Sequence, residues 1–284
     1  MIKVVVTDMD GTFLNDEKEI SPNSKKVIEK LQEHGIKFLI ATGRADIAVR
    51  NYYHDMGLND VTIACNGSFI RNQATGEVIY ENPFTDKEIS IIHKKYLELT
   101  DGSVELHIYS PNYIYCDRIS FNVARIKRVE EETNAKYKTP VCIEEDILSA
   151  IARNKDKCYK VMMSSKNHNL LEKIYEEVKK EFDLEGTFSA THFFDMVPKG
   201  TSKAEGIKRV AKYYNISVED SVVFGDNLND IEMLKVAGTA ICPSNARDEI
   251  KKMCHLVIGN NNDFSVLKYL EEYVNKLGET TNEK

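Results

Sequence analysis

Val4-Val5-Val6-Thr7-Asp8-Met9-Asp10-Gly11-Thr12 decides the fold. The β-branched apolar run reads as a short buried strand, and the acids with glycine after it read as a tight turn. In an open α/β sheet, ligands bind beyond the carboxyl ends of the strands, so Asp8 and Asp10 project towards a ligand there. One carboxylate can attack an electrophile while its neighbour handles a proton, and together they can hold a hard cation. Asp-x-Asp-Gly is also a common turn, so its meaning depends on what accompanies it.

Working outward, Ser21-Pro22 opens a helix with Val27, Ile28 and Leu31 on one face, closing at His34-Gly35. A strand over Lys37–Ala41 ends at Thr42-Gly43-Arg44, a helix covers Asp46–Met56, and a third strand, Val61–Cys65, ends at Asn66-Gly67. Short links between strand and helix imply right-handed crossovers and a parallel sheet. Phe69–Tyr80 then reads as a hairpin, and from about Phe84 to Ser189 the rhythm gives way to strands and helices joined by hairpins. In that stretch Thr85–Leu99 and Leu170–Phe182 read as helices, and Glu105–Tyr109, Tyr113–Cys116 and Lys157–Ser164 as strands.

The first pattern resumes near Asp195: helix Lys203–Tyr214, strand Ser221–Phe224, another helix, strands Thr239–Ile241 and Leu256–Ile258, and a last helix near Asp263–Tyr273. The expected division is an α/β unit over residues 1–83 and 190–284, interrupted by an α+β unit over 84–189. The polar tail Gly278–Lys284 is expected to fray.

Three further sites fall at strand ends. Thr42-Gly43 offers a hydroxyl and backbone N–H groups at a helix start, an arrangement suited to phosphate. Lys203 opens a helix after the loop Pro198–Ser202 and can place its ammonium beside the same anion. Lys199 competes for that role, but the position of Lys203 before a helix favours Lys203. Gly225-Asp226-Asn227-Leu228-Asn229-Asp230 adds two acids and two amides, without the glutamate spacing of an EF-hand. Carboxylates alone repel a phosphate, so Mg2+ among them is expected to reverse the local field. Arg44 and Asn66 also follow strands on this side, where they can contact the substrate or hold the loops.

Taken in order, Asp-Met-Asp-Gly-Thr, Thr42-Gly43, Lys203 and Gly225–Asp230 resemble the four motifs of the haloacid dehalogenase-like hydrolase superfamily. Their intervals resemble its Cof-type, sugar-phosphatase-like branch. That resemblance implies an α/β fold: a Rossmann-like parallel-sheet core with an inserted α+β cap domain for substrate selection. It implies a hydrolase of phosphate monoesters, a Mg2+-dependent phosphatase acting on a small phosphorylated substrate such as a sugar phosphate. Asp8 would be the nucleophile, forming an aspartyl-phosphate, and Asp10 the acid/base. Asp8, the backbone carbonyl of Asp10, and Asp226 would bind Mg2+. Thr42, Gly43, Lys203, Asn229 and the backbone N–H of Met9 would hold the phosphoryl group, and Asp230 would support the metal site. A phosphomutase or phosphotransferase on the same core, and a non-catalytic binding or regulatory protein, are the alternatives.

Other residues have simpler readings. His54, His93, His107 and His168 lack metal-ligand spacing, and His192 reads as packed or exposed. Tyr109, Tyr113 and Tyr115 alternate as half-buried strand residues do. The 284 residues, 42% hydrophobic and 29% charged, describe a globular chain with room for two domains. A net charge of −7 gives no reason to expect nucleic acid or an anionic membrane as partner. Scattered cysteines and a chain that opens on a strand point to free thiols in a reducing cytoplasm.

Overall fold

The computed structural model describes residues 2–133 and 135–282, with side chains as far as residue 279. The chain runs β1 (Val4–Thr7), α1 (Ser24–Glu33), β2 (Lys37–Ala41), α2 (Arg50–Asp55), β3 (Val61–Ala64), β4 (Phe69–Asn72) and β5 (Val78–Glu81). It continues through α3 (Asp86–Leu99), β6 (Glu105–Tyr109), β7 (Ile114–Cys116), α4 (Phe121–Glu132), β8 (Val141–Ile143) and α5 (Ile147–Asn154). Next come β9 (Lys160–Ser164), α6 (His168–Lys179), β10 (Leu184–Ala190) and β11 (Phe193–Pro198). The last part holds α7 (Lys203–Tyr213), β12 (Ser221–Phe224), α8 (Ile231–Val236), β13 (Thr239–Pro243), α9 (Asp248–Met253), β14 (Leu256–Ile258) and α10 (Ser265–Asn282).

Among the described residues, the first sheet has the order β14-β13-β12-β1-β2-β3-β4-β5. It is parallel from β14 to β3, and the β4–β5 hairpin extends it antiparallel. β1 is buried on both faces, which is why it reads as an unbroken apolar run. Val5 packs with Val27, Ile28 and Leu31 of α1 and with Leu267 and Leu270 of α10. Val4 and Val6 face the other way, onto Ala204, Ile207 and Val210 of α7 and Met233 of α8.

Register then places the site. Thr7 lies opposite both Ile40 and Phe224, and Ala41 lies opposite Ile63. The residues just beyond β1, β2, β3 and β12 therefore leave the sheet at one edge. β1 has β2 on one side and β12 on the other, so that edge is also where the strand order reverses.

The second sheet has the order β10-β11-β9-β6-β7-β8 and is antiparallel except for the β7–β8 pair. One face carries α3, α5 and α6 through Ile92, Tyr96, Ile147, Leu171 and Ile174. From the other face, Tyr109, Ile114 and Met162 pack with Ala45, Ile47, Cys65 and Phe69 of the first unit. The expected return to the first unit was at residue 190. The β10–β11 hairpin instead carries the second sheet on to Pro198, because β11 pairs with β9 from Phe193 onward.

Smaller differences have local causes. α1 starts at Ser24 with Asn23 as an N-cap that makes no side-chain bond. The stretch after Arg44 begins as a 3-10 turn, Asp46–Val49, before α2. α4, β8 and α5 lie where no element was expected, and α4 carries a weak apolar stripe with Phe121 73% exposed at its start. α10 continues through the expected frayed tail to Asn282, with Val274 and Leu277 still packed on the core. Glu283 and Lys284 lie outside the described residues. Among the described residues all six cysteines are free thiols, and no helix is long and apolar enough to cross a membrane.

Candidate active site

Asp8 leaves β1 with its N–H donating to the Phe224 carbonyl at 3.0 Å, which continues the β1–β12 pairing by one residue. Lys203 is the first residue of α7, a helix capped by Ser202, whose hydroxyl accepts the Glu205 N–H. Its side chain is buried, and Nζ donates to Asp8 Oδ1 at 2.5 Å and to Asp230 Oδ1 at 2.6 Å. The other Asp230 oxygen accepts the N–H groups of Asp226 (2.9 Å) and Asn227 (3.1 Å) and so holds the loop after β12 in place. Thr12 Oγ1 donates to Asp226 Oδ1 at 2.6 Å. Gly11, at φ +84°, passes so close that a Cβ there would lie 2.6 Å from Asp226 Oδ2.

Asp8, Asp226 and Asp230 each bring a carboxylate oxygen within 4.8 Å of the others. Burial pushes Asp8 up to about 7, with Lys203 pulling the other way and Asp230 adding to the rise. Burial also lifts Asp226 well above the usual carboxylate range, with Asp230 and Asp8 as repelling neighbours. Lys203 is lowered by burial but held above its ordinary value by Asp230 and Asp8. One ammonium does not neutralise two buried acids and a half-buried third. The cluster has an affinity for additional positive charge, and all-oxygen donors suit a hard divalent cation.

The Asp10 carboxylate lies outside this cluster. Arg44 grips it in a fork, Nε at 2.7 Å and Nη2 at 2.8 Å, and Lys18 Nζ adds a third contact at 3.0 Å. Burial favours the neutral acid, yet Arg44 and then Lys18 more than reverse that and hold Asp10 well below the usual range. Arg44 is itself oriented by its N–H donating to Thr42 Oγ1 at 3.1 Å and by its guanidinium lying over the Tyr52 ring. Thr42 is buried; Met9 turns its side chain into the core and its carbonyl accepts the Leu14 N–H.

Beyond β3 the backbone is left-handed at Cys65 (φ +50°) and Asn66 (φ +55°), a conformation uncommon outside glycine. It aims Asn66 so that Nδ2 donates to Asp195 Oδ2 at 2.9 Å while Oδ1 accepts Asn229 Nδ2 at 3.2 Å. Gly67 follows at φ +101°, where a Cβ would lie 2.2 Å from the Ser202 carbonyl oxygen. That contact brings the loop before Lys203 against the end of β3.

Several contributors had no motif to announce them. Lys160 of β9 donates to the Gly43 carbonyl at 2.7 Å and to Asp195 of β11, and both side chains are buried. The available signal was a charged residue inside each of two apolar strands, Tyr159-Lys160-Val161 and Phe194-Asp195-Met196. Their pairing depends on cross-strand register, which spacing alone does not reveal. Lys199 is exposed and pairs with Asp183, far from the role weighed for it.

Among the described residues no histidine joins the acid cluster. His107 is buried against Ser120, His54 stacks on Tyr137, and exposed His168 and His192 meet at 3.3 Å. Tyr115 packs beneath the helices of the second sheet, whereas Tyr109 lines a cavity of about 630 Å³. Asp8, Asp10, Thr42, Gly43 and Asn229 line it from the first unit, and Tyr109, Lys160, Met162, Phe193 and Asp195 from the second sheet.

The family model for haloacid dehalogenase-like hydrolases matches residues 5–270. Pyridoxal phosphate phosphatase YbhA of Escherichia coli is 26% identical over 276 residues, covering 96% of this chain and 98% of the relative. The 5-amino-6-(5-phospho-D-ribitylamino)uracil phosphatase YitU of Bacillus subtilis is 25% identical, covering 95% and 97%. In fold, the chain is similar to a haloacid dehalogenase-like hydrolase from Bacteroides thetaiotaomicron, with a TM-score of 0.81, 21% identity and coverage of 96% and 100%.

Proposed function

The chain belongs to the haloacid dehalogenase-like hydrolases, and from that premise we propose that it is a Mg2+-dependent phosphatase of small phosphorylated metabolites, sugar phosphates among them. The observation that carries this reading is buried Lys203 bridging Asp8 and Asp230 beside Asp226, at the edge where the strand order reverses. The acids lifted by burial and mutual repulsion suit Mg2+, which Asp8, Asp226 and the backbone of Asp10 would hold, with Asp230 orienting the loop behind them. When bound, the cation would offset the charge of the phosphate oxygens.

Asp8 then attacks phosphorus as the ester P–O bond breaks, giving an aspartyl-phosphate, and the leaving oxygen takes a proton from Asp10. In the second half Asp10 accepts a proton from water as that water attacks phosphorus, releasing inorganic phosphate and restoring Asp8. The ionised Asp10 held by Arg44 and Lys18 is already in the state required of this base. Its first role requires a proton, so these contacts must loosen when substrate enters. Thr42, Gly43, Lys203, Asn229 and the N–H of Met9 position the phosphoryl group.

The unit bearing the second sheet acts as the cap, covering the cavity and excluding water during the first half-reaction. The relatives are named for pyridoxal phosphate and for 5-amino-6-(5-phospho-D-ribitylamino)uracil, both phosphorylated small molecules. The free thiols fit a reducing cytoplasm. Phosphate release across a panel of phosphorylated metabolites, with and without Mg2+ and with Asp8→Asn as control, tests the reading. Turnover that needs both Mg2+ and Asp8 supports it. Turnover that survives Asp8→Asn in folded protein overturns the nucleophile, and silence across the panel overturns the activity.

A further inference from the structure

One face of α4 forms a wall of the cavity. Asn122, Arg125, Ile126, Val129, Glu130 and Thr133 all line it, at the three- and four-residue spacing of a single helical stripe. Ile126 packs against Tyr109, Ile114 and Met162, which seats this stripe on the cavity side of the second sheet.

The cations that line the cavity differ in one respect. Arg44 and Lys18 are bound to Asp10, and Lys160 is bound to Asp195. Arg125 has no carboxylate within 4.0 Å among the described residues. Among the described residues its one side-chain hydrogen bond is Nη2 donating to Asn122 Oδ1 at 2.9 Å, and Asn122 is itself buried. That contact orients the guanidinium without neutralising it. Glu130, on the same stripe, is turned to the Thr139 N–H.

Nearby groups are also unspent. The Tyr109 hydroxyl has no hydrogen-bond partner among the described residues, although the residue is 6% exposed, and it lies within the field of Asp195 and, more weakly, of Arg125. Asp195 is 1% exposed, with Oδ2 taken by Lys160 and Asn66 and Oδ1 unpartnered. A buried acceptor without a donor is costly unless something arrives to satisfy it. This wall therefore offers a cation and a hydroxyl to an anion, and a carboxylate oxygen to a hydroxyl or amine.

We propose that Arg125 is a specificity-determining residue that reads a second anionic group on the leaving portion of the substrate. The substrate class is a phosphate monoester whose alcohol carries a carboxylate or a further phosphate, together with a hydroxyl or amine that donates to Asp195. This inference rests on the phosphatase reading and narrows it. A guanidinium meets either anion through paired N–H donors, so the chemistry is shared and the source is left to experiment.

The test uses the full chain with Mg2+ and matched pairs of esters. 3-Phosphoglycerate against glycerol 3-phosphate isolates a carboxylate, fructose 1,6-bisphosphate against fructose 6-phosphate isolates a phosphate, and p-nitrophenyl phosphate serves as a minimal ester. The wild type is expected to favour the anionic member of at least one pair by about 10-fold or more in kcat/KM. Arg125→Met is expected to remove most of that preference through KM on the anionic member, and Arg125→Lys to retain part of it. Arg125 is half-exposed on a helix, and thermal unfolding of both variants checks that the fold persists. No preference in the wild type for either anion overturns the inference, as does a preference that Arg125→Met leaves unchanged. Turnover of none of these esters, p-nitrophenyl phosphate included, overturns the phosphatase reading as well.

Discussion

Lys203→Met keeps roughly the length of the side chain and removes its charge from a site only 1% exposed, between Asp8 and Asp230. Deleting one partner of a buried ion pair leaves uncompensated charge and costs about 3–5 kcal/mol. Two carboxylates lose a shared cation here, and burial already raises Asp8 to about 7 with Lys203 in place. Without the ammonium Asp8 rises further, and the folded variant relieves itself by taking up a proton that the unfolded chain has released. A group raised in the folded state contributes stability below its unfolded value and loses it as pH climbs through the folded one. The variant is therefore expected to lose about 3–5 kcal/mol near neutral pH and to recover by up to about 1.4 kcal/mol for each pH unit on acidification. Urea unfolding of both proteins in chelator, at about pH 7.5 and about pH 5, measures this directly. A loss under about 1 kcal/mol near neutrality, or one undiminished by acid, refutes the claim that this lysine holds a buried acid cluster together.

In chelator the wild type is expected to melt at higher temperature near pH 5.5 than near pH 8, because Asp8, at about 7, and Asp226 are raised by burial; added Mg2+ should flatten that slope, and a slope of opposite sign contradicts it. Arg44→Met removes the main cation holding Asp10 below the usual range, so Asp10 keeps the proton that the first half-reaction needs to higher pH, and the alkaline limb of kcat/KM against pH should move up by at least about one unit; an unmoved limb separates Asp10 from the proton step. Gly67→Ala, at φ +101° with its Cβ 2.2 Å from the Ser202 oxygen, should cost about 1–3 kcal/mol and lower kcat by displacing Lys203. Gly35→Ala, with a left-handed φ but no atom within 4 Å, should lose only about 1 kcal/mol and keep its kcat, and equal effects at the two glycines contradict the contact.

Legibility in the sequence followed the range of the interactions. β1 reads as an unbroken apolar run because both its faces are buried, and the acids after it were visible because strand ends are local events. Lys203 could be preferred over Lys199 from its place at a helix start, and the structure puts Lys203 among the acids and Lys199 in solvent. Lys160 and Asp195 lay hidden because their pairing comes from β9–β11 register and from packing against Gly43, not from any spacing along the chain. The end of the second sheet at Pro198 was lost for the same reason, since an antiparallel hairpin can belong to either unit until its partner strand is known. The fork between Arg44 and Asp10 joins two strand ends whose acids and bases were each legible, but not their contact.

The central claim is that Asp8 carries the phosphoryl group between the two half-reactions. The most direct measurement is to mix enzyme, Mg2+ and a hydrolysed ester, quench in acid within the first turnovers, and map by mass spectrometry any peptide heavier by one phosphoryl group. The expected result is modification at Asp8, absent from Asp8→Asn and lost when the quenched sample is returned to alkaline conditions. A phosphoryl group on another residue, or turnover with no modified peptide at any quench time, would contradict it.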